Sequence, residues 1–227
     1  MDLEFIFMLT RNDKTVEDAR DHISTALKVG VKHIGFKDVG VSFDTLNLLN
    51  EDILKGGATS YLEVVSLDKQ SEVMSAKAAK EIGVNNLLGG TNISEVLSII
   101  KGSNIKYYPF PGKIVGHPSV LEGSIQEIVK SSKDLASIDG VHGLDLLAYR
   151  HIDDPLKLMR AVTSLVKKPV IMAGSISSRS RIQDVKNSGA YGFTIGTAAL
   201  DGGYYSKKQD LSSQLKVILS DLSEINS

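Results

Sequence analysis

The chain has 227 residues, 42% of them hydrophobic and 23% charged, and a formal net charge of −1 from Lys+Arg 26 against Asp+Glu 27. That length suits a single α/β domain spanning residues 1–227, and the balanced charge provides no global field for nucleic acid or an anionic membrane. The absence of cysteine excludes thiolate metal sites, thiol catalysis and disulfides. No apolar run nears the roughly 18 residues of a membrane span, and the N-terminal residues lack a signal-peptide pattern, so a cytoplasmic location is expected.

Short apolar runs alternate with amphipathic stretches of helical length along the whole chain. The first strand is predicted over 4–10 (EFIFMLT), followed by a helix over 15–29 with Thr15 as its N-cap. A second strand over 33–38 leads to a helix over 42–55. A third strand over 60–67 (SYLEVVSL) leads to a helix over 69–82, ended by Gly83. The fourth strand is placed at 84–88 and its helix at 94–100.

The second half keeps the rhythm. Strand five is predicted over 105–110, followed by a loop rich in Pro and Gly and a helix over 119–135. Strand six covers 143–149, and the helix over 155–166 has Asp154 as cap and Pro155 in its first turn. Strand seven covers 169–173 with a helix over 180–188. Strand eight covers 191–195, and a helix over 211–225 follows. Eight strands, each followed by a helix, predict a single (β/α)8 barrel.

Some positions echo at a spacing of half the barrel. Ser66 and Ser175 follow strands three and seven, while Gly89 and Gly196 follow strands four and eight, each trailed by a threonine, Thr91 or Thr197. A duplicated half-barrel would give such spacing, and so would the general likeness of all βα units.

The most informative stretch joins KPVIMAGSI after strand seven to GFTIGTAAL after strand eight. Glycine at 174 and 196 lets the backbone turn tightly and approach an anion. The amides of Gly174, Ser175, Gly196 and Thr197 are therefore expected to bind phosphate, at the loops where barrels of this kind place it. By analogy, Gly89 and Gly90 are a second candidate anion site. This paired signature resembles the phosphate-binding barrels, among them those of histidine and tryptophan biosynthesis and the ribulose-phosphate epimerases. The resemblance implies a phosphorylated small-molecule substrate and no specific member. The chain lacks the Asp–x–Lys–x–x–Asp arrangement of the orotidine-phosphate decarboxylase group. It also reads Met8-Leu9-Thr10-Arg11 where histidine-pathway barrels carry a catalytic Asp.

Charged residues embedded in apolar strands mark the candidate chemistry. Lys37, Glu63 and Asp145 are the expected acid–base residues, with Arg11, Asp38, Arg150 and His117 as substrate-binding candidates near the barrel mouth. His33, Glu63 and Asp145 are the one conceivable metal trio, although no metal or cofactor is expected. Three functions follow: an isomerase or epimerase of a phosphorylated sugar or sugar acid, a lyase forming a Schiff base on Lys37, and a non-catalytic binder of phosphorylated ligands. A homodimer is the default assembly.

Overall fold

The computed structural model describes residues 2–66, 68–205 and 207–227. Eight strands form one parallel sheet: β1 (Glu4–Met8), β2 (His33–Lys37), β3 (Thr59–Val64), β4 (Asn86–Gly89), β5 (Lys106–Tyr108), β6 (Leu144–Leu146), β7 (Val170–Met172) and β8 (Gly192–Ile195). Their order is β6-β7-β8-β1-β2-β3-β4-β5. The outer pair meets through a parallel bridge between Tyr107 and Val141, with the His142 amide donating to Tyr107 O at 2.8 Å. The sheet therefore closes on itself, as a (β/α)8 barrel requires.

The connecting helices are α1 (Ala19–Lys28), α2 (Phe43–Lys55), α3 (Lys69–Ile82), α4 (Ile93–Ile100), α5 (Ile125–Ser137), α6 (Pro155–Leu165) and α7 (Arg179–Ser188). A short α8 (Thr197–Leu200) and the long α9 (Leu211–Asn226) follow β8. Local chemistry sets their ends. Asp68, Asp154 and Ser178 cap α3, α6 and α7, and Gly83 ends α3 in the left-handed conformation. None of the described helices is long and apolar enough to cross a membrane.

Two predicted helix starts are corrected. The helix after strand one begins at Ala19, because Thr15 lies in a hairpin pairing Thr10–Arg11 with Lys14–Thr15. The Thr15 hydroxyl bonds both the N–H and the C=O of Lys37 at 2.8 Å, so it is spent on β2 and not on a cap. The helix predicted from residue 119 begins at Ile125, behind a Ser124–Glu127 capping box. The residues before it form a second hairpin, Lys113–Val115 with Val120–Glu122. Strand three ends at Val64, and Leu67, the predicted terminus, lies outside the described residues.

Side chains alternate between two cores, as the two-residue period of a strand demands. Phe5 and Phe7 of β1 join the large cluster between sheet and helices. Ile6 and Met8 join Tyr61, Leu88, Tyr108 and Ile171 in a small cluster inside the barrel. Burying each large apolar side chain contributes roughly 1.5–3 kcal/mol. These six residues pack the inside of the barrel, and Lys37 and Glu63 stand at the C-terminal ends of their strands.

Candidate active site

Register shows which charged residues face inward. Glu63 lies opposite Leu88 across the β3–β4 pair, and Asp145 lies opposite Ile171 across β6–β7. Leu88 and Ile171 belong to the inner cluster, and neighbours directly across two strands share a face. Lys37 is opposite Glu63 in turn, so it faces inward as well. All three are buried, and the pattern of the strands brings the three expected acid–base residues together.

Lys37 Nζ donates to Asp13 Oδ1 at 2.9 Å and lies 3.2 Å from Glu63 Oε1. Asp13 is a residue that the sequence reading missed. It sits at the tip of the first hairpin, whose two-residue turn holds Asn12 at φ 50° and Asp13 at φ 59°. Such a turn favours glycine at its second position, so an aspartate there adopts an unfavourable backbone conformation. Its carboxylate accounts for the choice. Besides Lys37, it accepts two bonds from Arg150, at 2.5 and 2.7 Å, and one from the Ser119 amide at 2.9 Å. Burial alone would raise the Asp13 pKa, but the Arg150 bonds and the Lys37 charge overcome it and hold the carboxyl well below the usual range.

Asp145 has the opposite environment. It is wholly buried, and neither carboxylate oxygen has a hydrogen-bond partner among the described residues. Burial, reinforced by the nearby Glu63 charge, pushes its pKa well above the ordinary value. The barrel interior thus holds two cations, two carboxylates and one carboxyl group that resists ionisation.

A cavity of about 710 Å³ opens above this group, lined by Lys37, Glu63, Asp13 and Arg150 and by the loops after β7 and β8. Gly174 and Ser175 both have positive φ, 79° and 58°. A Cβ on Gly174 would meet Arg150 Nε at 2.4 Å, so glycine here makes room for the arginine on its way to Asp13. Gly196 is pressed against Thr10 and Met8 O of the β1 end in the same way. Ser175, Gly196 and Thr197 line the cavity, and Arg181 of α7 joins them. Its guanidinium lies 4.7 Å from the Tyr149 ring centroid and donates to Ser175 O. Arg181 was not a candidate from sequence.

The other candidates are placed elsewhere. Gly89 and Gly90 have positive φ, but the expected second anion site is filled from within. The Glu72 carboxylate of α3 accepts from the Thr91 and Asn92 amides at 2.9 and 2.8 Å and from Asn92 Nδ2 at 2.6 Å. Gly90 is glycine because Glu72 Oε1 lies 2.3 Å from where a Cβ would stand. Asp38 is engaged by the Val65 amide and the Ser66 and Ser75 hydroxyls at 2.6–2.9 Å, and does not line the cavity. Arg11 pairs with Asp201 at 2.5 Å on the rim. His117 is exposed at the second hairpin's turn, and its neighbours Pro118 and Ser119 face the cavity instead. His33 bonds Tyr61 and lies 3.2 Å from Glu4, so it does not gather with Glu63 and Asp145, and no metal-binding cluster occurs among the described residues.

No family model matches the chain. No curated protein matches it. Its fold is similar to solved structures at low identity. Orotidine 5'-phosphate decarboxylase from Pyrococcus horikoshii OT3 superposes with TM-score 0.69 at 12% identity, covering 96% of this chain and 99% of that one. Thiamine phosphate pyrophosphorylase from Pyrococcus furiosus gives TM-score 0.64 at 15% identity, over 99% and 98%. Tryptophan synthase from M. tuberculosis gives 0.67 at 11% identity, over 100% and 94%. At such identities the likeness is one of fold.

Proposed function

We propose that this chain is an enzyme that moves a proton on a small phosphorylated sugar or sugar acid, as an isomerase or epimerase. The observation that carries this reading is the inward set Lys37, Glu63 and Asp145 beneath a cavity walled by the loops after β7 and β8. Two of the similar structures bear the names of phosphorylated compounds, which supports a phosphate at that wall.

Enolisation beside a carbonyl needs a base for the carbon-bound proton, an acid to return one, and fixed positive charge for the developing oxyanion. Glu63 is the base in this reading. Asp145, whose proton is held on by burial, is the acid. Lys37 and Arg150 supply the charge, and the amides of Gly174, Ser175, Gly196 and Thr197 hold the phosphate together with Arg181.

The test is solvent deuterium uptake into phosphorylated trioses to hexoses. The wild-type protein is expected to exchange one carbon-bound proton of its substrate, and Glu63→Gln to slow that exchange by roughly 100-fold or more. A panel member that binds at the cavity without exchange, with none of the others exchanging, would count decisively against the reading.

A further inference from the structure

The cavity's charges are unevenly committed. Of its three lining cations, Lys37 lies within ion-pair distance of Asp13 and Glu63, and Arg150 is bound by Asp13 through both terminal nitrogens. Arg181 has no carboxylate partner among the described residues, and its bonds are to a backbone carbonyl and an aromatic ring. One anionic group can therefore be taken up beside Arg181 without displacing anything. A second full anion would have to compete with Asp13 and Glu63 for the cations they already engage, and would lie against those carboxylates, where like charges repel strongly.

We infer that the substrate carries its phosphate as its only anionic group and is uncharged at the reacting end, a phosphorylated aldose or ketose and not a phosphorylated sugar acid, and that Asp13 is the residue enforcing the choice. The inference rests on the reading that phosphate binds beside Arg181, and narrows it. Asp13 does this by position. Its carboxylate occupies the Arg150 fork that would otherwise hold a substrate carboxylate bidentately. An aspartate kept at a turn position where glycine would be relaxed fits a residue retained for its charge.

Asp13→Gly removes that charge and suits the turn, since Asn-Gly is the preferred pair for a two-residue hairpin loop. Glycerol 3-phosphate and 3-phosphoglycerate share a phosphomonoester and differ in a neutral against a carboxylate end. Calorimetric titration of the full chain with both, and with inorganic phosphate, is the experiment. Near pH 7.5 the wild type is expected to prefer glycerol 3-phosphate by about tenfold or more, and Asp13→Gly to move that ratio about tenfold toward 3-phosphoglycerate. Asp13→Asn, which keeps the shape and loses the charge, is expected to move it the same way. A wild-type protein that binds 3-phosphoglycerate as tightly as glycerol 3-phosphate overturns the inference while leaving the phosphate reading intact, as does an unchanged ratio in both variants. Failure of all three compounds to bind any of the proteins overturns the phosphate reading itself.

Discussion

Glu72 and Asp145 are both wholly buried carboxyl groups in the same barrel, yet their surroundings are opposite. Glu72, on the helical layer, is met by three N–H donors from the loop after β4. Asp145, inside the barrel below the cavity, is met by none among the described residues. Burying a polar group costs free energy unless partners are supplied. The first residue recovers that cost within the fold. The second leaves it standing, and strongly perturbed groups of this kind cluster at functional sites. The same contrast separates the two candidate anion loops. The one after β4 carries an internal anion, whereas those after β7 and β8 face open space beside Arg181.

The contrast breaks most visibly at Glu72. Glu72→Ala deprives two backbone amides of their acceptor, and the chain is expected to lose about 2–3 kcal/mol, or about 4–12 °C in Tm. Sulfate or phosphate should then restore part of the loss by occupying the vacated donors, an effect absent from the parent loop and read by a thermal melt with and without the salt. Stability that is unchanged by the substitution would remove the structural role.

A smaller effect is expected at Arg181. Arg181→Ala should leave the melt of the free protein within about 0.5 kcal/mol of wild type, since its guanidinium is not part of an ion pair among the described residues. Its phosphomonoester affinity should fall roughly tenfold or more. A variant that binds glycerol 3-phosphate as well as the parent would move the anion to another wall of the cavity.

A change of opposite sign belongs to Asp145. In the unfolded chain this carboxyl loses its proton near its ordinary pKa of 3.8, while in the folded protein burial keeps the proton on. Above that pH the folded state binds more protons than the unfolded one, so Asp145 lowers stability progressively as pH rises, until its folded pKa is reached. Asp145→Asn has no proton to lose. Relative to wild type it should gain stability as pH rises from about 4 toward neutrality, measured by urea midpoints across that range, while losing exchange activity. A stability difference that stays flat with pH would mean that Asp145 ionises normally in the fold.

Part of this contrast is legible in the sequence. Strand periodicity sets Glu63 and Asp145 on the face opposite their hydrophobic neighbours, which is the inward face if those neighbours pack on the helices. The glycine-rich turns after β7 and β8 announce themselves by composition. Three features were hidden for physical reasons. Asp13 lies in an Asn-Asp turn that reads as polar punctuation, and only its place where glycine is favoured marks it as unusual. Glu72 occupies an ordinary helical position, and nothing local reveals that its side chain crosses to the loop after β4. The hairpins before α1 and α5 go unseen in the sequence, with only Thr15 and Val120–Glu122 falling inside predicted helices, since two- and three-residue strands carry too few residues for a period to emerge. The half-barrel echo is also weaker in space than in sequence. Gly89 has φ 75° while Gly196 has φ −122°, so matching letters serve different backbones.

Asp13 joins segments that lie 106 and 137 residues away, through the Ser119 amide and the Arg150 guanidinium. The N–H of Ser119 can exchange with solvent only when that acceptor lets go. One amide resonance therefore serves as a clock for the mouth of the barrel, counting separations between the two hairpins whether or not a ligand has been found.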